Sequence, residues 1–450
     1  MKQNAQDLTQ GSLWKKILFF SFPLMISNVL QVLFNLSDIA VVGQFAGSRA
    51  LGAVGSTATL VTLFTGFLIG VGSGVNVLVA RFYGAKKDDE VGKAVHTAAV
   101  ICLIVGIVIA VTGLFSADMI LRLLHTKDEL IDGARRYLQI YFLGMPALAI
   151  YNFGNAVFSA VGDTKKPLYF LAFSGVVNII LNLVFVICCH MDVAGVATAS
   201  IISQYLSAIL IVNALHQQRD ASYGLRFSEL GLDGDKARLI LTVGLTAGFQ
   251  TSVFQVANLF IQAGVNTFSA TMVSGNSAAA NADALVYDVM AAFYTACASF
   301  MGQNYGAGNR NRVKKSYLIS LFYSFAIGAV MGILLVLFGT QFLSLFTKEA
   351  DVVQAGMQRL TIMGYSYAVS AFMDCTIAAS RGLGKSVVPT IIVLMGSVIF
   401  RIIWMYTIFA HFKTIPSLYL LYIFSWTITA VAEILYFVKI YREEMKILTV

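Results

Sequence analysis

The sequence has few charged residues: aspartate, glutamate, lysine and arginine make up only 12% of its 450 residues, whereas 58% are hydrophobic. Water-soluble domains carry roughly 25% charged residues. The low charge content therefore excludes a chain built of soluble domains, and it predicts a protein that lies in a lipid bilayer.

Cysteine and histidine are also scarce, with five of each. The cysteines fall in or at the edge of hydrophobic segments, and neither CxxC nor HExxH occurs. No zinc-binding, redox or metalloprotease motif is therefore present. We expect a protein that is not an enzyme and that holds no metal and no organic cofactor.

Long hydrophobic runs are abundant. Such runs predict helices, because the strands of a membrane barrel would be short and would alternate polar with apolar residues. The first run, from Ile17 onward, is too long for a signal peptide and lacks a cleavage site, so we expect it to be retained. We predict an all-α polytopic membrane protein with twelve transmembrane helices, at about residues 15–43, 53–83, 93–116, 137–160, 168–189, 193–215, 237–267, 277–303, 313–340, 356–380, 387–411 and 416–440.

Basic residues are distributed unevenly between the predicted loops. If the N-terminus is cytoplasmic, 22 of the 31 lysine and arginine residues fall in inner segments, 8 fall in outer loops, and Arg401 alone lies within a helix. This bias predicts a multi-pass protein of the bacterial plasma (inner) membrane with both termini in the cytoplasm. It also explains the net charge of +8 without a nucleic-acid partner, and we expect a monomer in contact with lipid.

Two short motifs recur at one offset. Residues 162–167 recur at 384–389 and residues 83–86 recur at 305–308, each shifted by 222 positions. Because six helices separate the copies, both copies enter the membrane from the same side. Such a parallel repeat predicts two six-helix lobes related by a pseudo-twofold axis along the membrane normal, with the substrate path between them. The predicted domains are an amino-terminal lobe, a cytoplasmic linker that acts as a hinge and a carboxy-terminal lobe, at residues 1–215, 216–236 and 237–450.

Polar side chains occur at helical spacing within two of the hydrophobic runs. Residues three or four positions apart share one face of a helix, and in lipid such a face must contact protein or a wet cavity. We therefore predict that both stripes line the substrate path. The stripes are Asn28, Gln31, Asn35 and Asp38 on the first predicted helix, and Thr251, Gln255, Asn258 and Gln262 on the seventh.

Asp38 is the one acid in these two stripes. A charged residue near the middle of a membrane costs a few kcal/mol, and burial favours the neutral form of a carboxyl group. Asn178 and Asn182, one helical turn apart, and Thr198 on the next helix add oxygen ligands of the kind that small cations prefer. We predict a site for one proton or one Na⁺ at these four residues. Interhelical hydrogen bonding is the structural alternative for the amides.

The second half carries three further acids on apolar helices. These are Asp283, Asp288 and Asp374, of which we assign Asp283 and Asp374 to the substrate path. Arg401 is predicted to be the only basic residue deep in a helix. We expect it to be a structural counter-ion to one of these acids, because an unpaired buried charge is more costly than a paired one; direct contact with substrate is the alternative.

Several stretches of the sequence resemble the multidrug and toxin extrusion (MATE) family across nearly the whole chain. They are Phe22–Met25, Leu36–Asp38, Val42–Gly43, Ala194–Thr198, Gly302–Gly308 and Ser380–Gly384. The resemblance implies a V-shaped fold of twelve helices that alternates between outward-open and inward-open states. It also implies export of small organic, often cationic, compounds in exchange for H⁺ or Na⁺.

The resemblance also assigns roles to individual residues. Asp38 stands where the family keeps an aspartate on its first helix, and Asn178 and Thr198 match the family's amino-lobe cation pocket. Asn182 stands where many members have a second aspartate. Some members carry a coupling glutamate on the seventh helix, where this chain has only amides, so that coupling through the carboxy lobe would use Asp283 or Asp374.

An alternative function is a flippase for a lipid-linked precursor. Such a protein needs basic side chains in its central cavity to bind a diphosphate, and the predicted helices of the first lobe carry no basic residue near mid-membrane. An ion channel is disfavoured because the sequence shows no filter-like segment.

Overall fold

The computed structural model describes residues 7–124 and 126–447, so both chain termini lie outside it. In this part of the chain the regular structure is helical and no strand occurs. Helices are expected in lipid, because there each backbone N–H and C=O group must find its hydrogen-bond partner within the protein.

We number the helices in chain order. Their bounds are α1 (Leu13–Val41), α2 (Gly47–Gly84), α3 (Asp88–Leu123), α4 (Asp128–Phe142), α5 (Met145–Ala160), α6 (Lys165–Leu183), α7 (Asp192–Gln217), α8 (Gly234–Val265), α9 (Ala270–Gly306), α10 (Arg310–Leu343), α11 (Ala350–Gly382), α12 (Val387–Phe412) and α13 (Ile415–Ile447). Helices α1 and α6 each continue as a π-helical turn, and α12 contains two such turns.

Ten of these helices are long and apolar enough to cross a membrane. Helices α4 and α5 together form an eleventh candidate span with a bend of 47° between them; a single straight span had been predicted at 137–160. Helix α11, with 33 residues, matches the tenth predicted span. The predicted all-α polytopic fold is therefore confirmed, and its helices correspond to the twelve predicted spans if α11 is counted as the tenth and the bent pair α4 and α5 as the fourth.

The described chain divides into two compact units. The amino unit contains Asp7 and residues 26–248, and the carboxy unit contains residues 8–25 and 249–447. Helices α1 and α8 are each shared between the units, since the division falls after Met25 and after Gly248. The predicted lobes differ from these units mainly in residues 8–25 and 237–248.

The first half of α1 packs within the carboxy unit. Its side chains Leu13, Ile17, Phe20 and Leu24 are spaced four, three and four residues apart, so they share one face, and all are buried. They join a hydrophobic cluster with residues of α9, and the ring of Phe20 meets that of Phe300 edge-on at 5.4 Å. This apolar stripe explains why the start of α1 belongs to the unit built from the second half of the sequence.

Glycines let α2 and α8 approach closely within the amino unit. A Cβ atom placed on Gly70 would lie 2.3 Å from the backbone nitrogen of Gly248, and one on Gly74 would lie 2.4 Å from the carbonyl oxygen of Ile240. Small residues four positions apart are a common way for membrane helices to come into backbone contact. This contact fixes the first half of α8 to the amino unit.

The linker between the two halves of the sequence is anchored to the amino unit. The backbone N–H of Asp233 donates to the Thr97 hydroxyl at 3.1 Å, and the Lys236 ammonium lies 2.8 Å from Glu90 and 3.3 Å from Asp233. The hinge role that the sequence predicts for residues 216–236 stays a prediction.

The segment before α1 has a corresponding anchor in the carboxy unit. The guanidinium group of Arg312 donates to the carbonyl oxygens of Leu8, Gln10 and Gly11 at 2.8 to 3.1 Å. The Gln303 side chain accepts from the N–H of Leu8 at 3.1 Å. Gln303 belongs to one of the motifs shared with the MATE family, and its structural role here is to hold this segment.

Candidate ion-binding site

Asp38 lies near the end of α1 in the amino unit, where its carboxylate accepts two hydrogen bonds. The donors are the Asn182 amide on α6, at 2.5 Å, and the Ser200 hydroxyl on α7, at 3.1 Å. Asn182 is completely buried and Ser200 is nearly so. Both donors are neutral, so a negative charge on Asp38 is stabilised by hydrogen bonds and not by a cationic side chain.

The two predicted asparagines complete this network. The Asn182 amide also donates to the Asn178 carbonyl oxygen at 3.2 Å, and the Asn178 amide donates to the Ser200 hydroxyl at 3.5 Å. The structure therefore brings together three of the four residues of the predicted site: Asp38, Asn178 and Asn182. Their binding role stays a prediction.

One oxygen atom of this network lacks a partner. The side-chain carbonyl oxygen of Asn182 is buried and accepts no hydrogen bond from any described residue. A buried carbonyl oxygen without a donor costs free energy, and a bound cation or a protonated group satisfies it. The donor set therefore fits a small cation beside Asp38. Among the described residues, no group of three or more histidine, cysteine, aspartate or glutamate side chains is arranged to hold a metal ion.

Thr198 does not join the network as predicted. Its hydroxyl donates to the carbonyl oxygen of Ala194, one turn earlier in α7, at 2.7 Å. Ser200, on the same helix, donates to Asp38 in place of Thr198. The signal for it was present in the sequence, because Ser200, Ser203 and Ser207 are spaced three and four residues apart, as the stripe on α1 is, and all three are buried.

Two tyrosines of α4 form a further wall near Asp38. Tyr137 and Tyr141 are buried, their rings stack at 5.8 Å, and both interact electrostatically with the Asp38 carboxylate. The sequence analysis did not identify them, since tyrosines four residues apart are also ordinary packing residues of a helix.

The remaining predicted path residues are divided between the two units. In the amino unit, Gln31 is half-buried and Asn35 is exposed on α1. In the carboxy unit, Asn258 accepts from Arg401 at 3.4 Å, and Gln262 accepts from Asn276 at 3.3 Å and donates to Asn266 at 2.9 Å. Gln255 is half-buried on the same helix, α8. A shared substrate path stays a prediction.

Asp283 is neutralised by an arginine that the sequence analysis had assigned to an outer loop. Its carboxylate forms an ion pair with Arg359 of α11 and accepts a hydrogen bond from the Tyr367 hydroxyl. Arg359 is 5% exposed, and its guanidinium lies 5.2 Å from the ring centre of Tyr419. The prediction that Arg401 is the only deeply placed basic residue is therefore wrong.

Arg401 is buried on α12 but forms no ion pair with any described residue. Its guanidinium donates to the Ser425 hydroxyl at 3.2 Å and to Asn258 at 3.4 Å, and it lies 4.8 Å from the ring centre of Tyr422. Arg401 also interacts electrostatically with Asp374, without a direct ion pair between them. Asp283 is held by Arg359 instead, so the counter-ion role predicted for Arg401 would concern Asp374, and it stays a prediction.

Asp374 belongs to a second group of buried charges, in the carboxy unit. It is half-buried on α11 and interacts electrostatically with Arg381 and Arg401. Glu433 on α13 is fully buried in the same neighbourhood and was missed. It is the only acid in the twelfth predicted span, so the rule that identified Asp38 would have found it.

Comparison with known proteins gives consistent matches over most of the chain. A family model described as MatE matches residues 23–184 and 247–407, once in each half of the sequence. Two curated relatives from Bacillus subtilis (strain 168) are named probable multidrug resistance protein YpnP and probable multidrug resistance protein YoeA. YpnP is 32% identical over 81% of each chain, and YoeA is 28% identical over 86% of this chain and 85% of its own.

The fold also matches a solved structure described as the outward-facing conformation of a multidrug resistance MATE family transporter of the MOP superfamily. The TM-score is 0.90 at 22% sequence identity, and the match covers 100% of this chain and 99% of the other. At this identity the match establishes the fold. Together with the family model, it shows that the chain belongs to the multidrug and toxin extrusion (MATE) family of membrane transporters.

Proposed function

We propose that this chain is a secondary active efflux antiporter that exports small organic, cationic compounds in exchange for H⁺ or Na⁺ by alternating access. The observation that carries the proposal is the environment of Asp38. This carboxylate is held by Asn182 and Ser200, two neutral donors, and no basic side chain of the described residues is bound to it. Such a group is free to take up and release a cation.

The charge of the site suits one monovalent ion. Asp38 supplies one negative charge, and Asn182 supplies a buried carbonyl oxygen that lacks a donor. A proton neutralises the carboxylate directly, whereas Na⁺ would use both oxygens as hard ligands. Asn182 stands where many family members have a second aspartate. Because this site has only one acid, we expect one coupling ion of charge +1 to be carried in each transport cycle.

Competition between the coupling ion and the substrate explains how the ion drives export. A cationic compound is attracted by the ionised Asp38, and neutralisation of that charge by H⁺ or Na⁺ removes the attraction. Exchange of one such ion for one monovalent cationic compound moves no net charge, so the concentration gradient of the ion drives it, with about 1.4 kcal/mol for each tenfold ratio. The membrane potential contributes ~2.3 kcal/mol per 100 mV for each net positive charge that enters, as in the export of a neutral compound.

The names of the curated relatives support organic substrates, since both are called probable multidrug resistance proteins. They do not favour the alternative of a flippase for lipid-linked precursors. We place the transporter in the bacterial inner membrane as a monomer with both termini in the cytoplasm, in agreement with the bias of its basic residues.

The test is efflux of a cationic dye from vesicles that contain the protein, under an imposed proton gradient or an imposed Na⁺ gradient. We expect one of the two gradients to drive export by the wild type and Asp38→Asn to abolish that export. Asp132→Asn is the matched control, because its side chain is 80% exposed at the surface of the same unit. Normal gradient-driven export by Asp38→Asn would refute the assignment of the coupling site.

A further inference from the structure

Glu433 is a buried acid for which the mechanism above has no use. It lies on α13, is 0% exposed, and neither of its carboxylate oxygens has a hydrogen-bond partner among the described residues. An isolated carboxylate removed from water is strongly unfavourable, and such a group keeps its proton instead. For the arrangement seen here, we therefore expect Glu433 to be a neutral carboxylic acid.

The charges that face Glu433 come from a small set of helices. From α11, Arg381 and Asp374 interact with it electrostatically, and from its own helix Tyr436 does so. From α12, Arg401 acts on Asp374. Ala430, one turn before Glu433, belongs to a buried apolar cluster with Met373, Ile377 and Val393.

Arg381 has an unused donor in the same place. One of its terminal nitrogens donates to Gln250 at 2.7 Å, but its Nε atom is buried and has no hydrogen-bond partner among the described residues. Arg381 and Glu433 thus present an unsatisfied donor and two unsatisfied acceptors near one another without forming an ion pair. Formation of that ion pair would satisfy the Arg381 Nε–H group and one carboxylate oxygen of Glu433, at the cost of the Glu433 proton.

We propose that Glu433 is a second proton-binding site, in the carboxy unit, and that it works as a pair with Arg381. In one state Glu433 is protonated, and it forms no ion pair with Arg381, which is the arrangement of the two side chains in the structure. In the other state the proton has left to water, and the carboxylate accepts a hydrogen bond from the Arg381 Nε–H group. Arg381 lies in the last turn of α11, next to the predicted cytoplasmic end, so we expect exchange with cytoplasmic water.

This inference concerns proton binding and does not depend on the role proposed for Asp38. The proposal gives the carboxy unit a proton-binding residue of its own. This residue lies on α13, which carries none of the predicted ion-binding residues. A transporter with two such groups could take up or release protons at two separate places during its cycle.

Infrared difference spectroscopy of the purified full-length protein tests the proton directly. A protonated carboxylic acid has a C=O absorption that vanishes on ionisation, and ¹³C labelling of glutamate shifts the bands of Glu433 but not those of Asp38 or Asp374. We expect the wild type to show a glutamic-acid band at neutral pH. We expect Glu433→Gln to remove it, Glu433→Asp to replace it with an aspartic-acid band, and Asp38→Asn to leave it in place.

Glu443→Gln is the matched control, since Glu443 is exposed on the same helix; it should leave the band unchanged. The same spectrum for wild type and Glu433→Gln would overturn the proposal. Because a glutamine has the shape of a protonated glutamate, Glu433→Gln should also unfold at the wild-type temperature at neutral pH. A marked fall in that temperature would show that Glu433 is ionised and bound, and would likewise contradict the proposal.

The pairing with Arg381 has its own readout. In Arg381→Gln, the ionised form of Glu433 loses its partner, so the glutamic-acid band should persist to higher pH than in the wild type, and Arg381→Lys should restore most of the wild-type titration. An identical titration in Arg381→Gln and wild type would show that the two residues do not act as a pair.

Discussion

The buried acidic side chains of the amino and carboxy units have different surroundings. In the amino unit, Asp38 is surrounded by neutral hydrogen-bond donors. In the carboxy unit, Asp283 is paired with Arg359, and Asp374 and Glu433 lie in the field of Arg381. Two halves of one repeat have thus diverged: Asp38 accepts hydrogen bonds from neutral donors, whereas Asp283 is paired with an arginine, and Asp374 and Glu433 lie near another arginine.

The largest effect that this contrast predicts follows from removal of the buried arginine of the carboxy unit. Arg359→Gln leaves the Asp283 carboxylate without its cation, and loss of one partner of a buried pair costs about 3 kcal/mol or more. We expect a clear fall in the unfolding temperature of the purified protein. Because the Asp283 side chain keeps 26% exposure, the lower end of this range applies.

Arg122→Gln is the control for that experiment, because Arg122 forms an exposed pair with Asp118. Exposed pairs add little to stability, so its unfolding temperature should match that of the wild type. If Arg359→Gln were as stable as Arg122→Gln, the idea that the carboxy unit depends on internal charge balance would be wrong.

The amino unit should be more sensitive to packing than to charge. Gly70→Ala places a methyl group 2.3 Å from the backbone of Gly248, so α2 and α8 must move apart. Overpacking of this kind costs about 1–3 kcal/mol. Thermal unfolding measures it against Gly55→Ala on the same helix, where an added Cβ meets no atom within 4 Å. Equal stability of the two variants would contradict the close crossing.

A smaller effect distinguishes the two hydroxyl groups of α7. Ser200→Ala removes one of the two donors to Asp38, and a hydrogen bond to a charged group contributes about 1.5 kcal/mol, or roughly tenfold in affinity. The less stabilised carboxylate should hold its cation more tightly, so export should reach half of its maximal rate at a roughly tenfold lower cation concentration.

Thr198→Ala should leave that concentration unchanged, because the Thr198 hydroxyl bonds to its own helix. Measurement of dye export as a function of the coupling-ion concentration compares the two variants. If Thr198→Ala changed the coupling-ion concentration for half-maximal export more than Ser200→Ala did, Thr198 and not Ser200 would belong to the ion-binding site, as the sequence predicted.

The smallest predicted effect concerns the segments that precede α1 and α8, the two helices shared between the units. We expect only the segment before α8 to lose stability at low pH. Hydrogen bonds from the backbone and side chain of Lys236 hold the pKa of Asp233 below its usual value. These hydrogen bonds therefore stabilise the linker fully at any pH above the pKa that Asp233 has in the unfolded chain. That stabilisation is lost as the pH falls through the lower pKa that Asp233 has in the folded protein. In the carboxy unit, Arg312 binds backbone carbonyl oxygens, which do not titrate.

Hydrogen exchange, corrected for the intrinsic pH dependence, measures this difference. Acidification should expose the amides of residues 226–236 before those of residues 8–12. Simultaneous loss of protection in both segments would show that a common event, and not Asp233, controls them.

Much of this architecture could be predicted from the sequence. Long apolar runs gave the membrane spans, and family membership confirms that the chain is a transporter and not an enzyme. The association of Asp38 with Asn178 and Asn182 followed from helical spacing together with the family resemblance. These features depend on hydrophobicity and periodicity, which are local properties of the sequence.

The errors arose where helix ends or rotations decide the outcome. The tenth span was predicted to begin at residue 356, which placed Arg359 at a boundary where long cationic side chains reach water; α11 begins at Ala350 instead, so Arg359 lies more than two turns inside. Thr198 and Ser200 differ by about 200° around α7. The spacing of Ser200, Ser203 and Ser207 made Ser200 a candidate, but the packed structure was needed to show that it faces Asp38.

Dye binding to the purified protein tests the central claim most directly, because it needs no gradient. If Asp38 binds the cation and the substrate in competition, raising the concentration of the coupling ion should weaken binding of a cationic dye to the wild type, while Asp38→Asn should bind the dye equally at all ion concentrations. If Asp38→Asn kept the ion dependence of the wild type, competition would take place at another residue and the proposed cycle would be wrong.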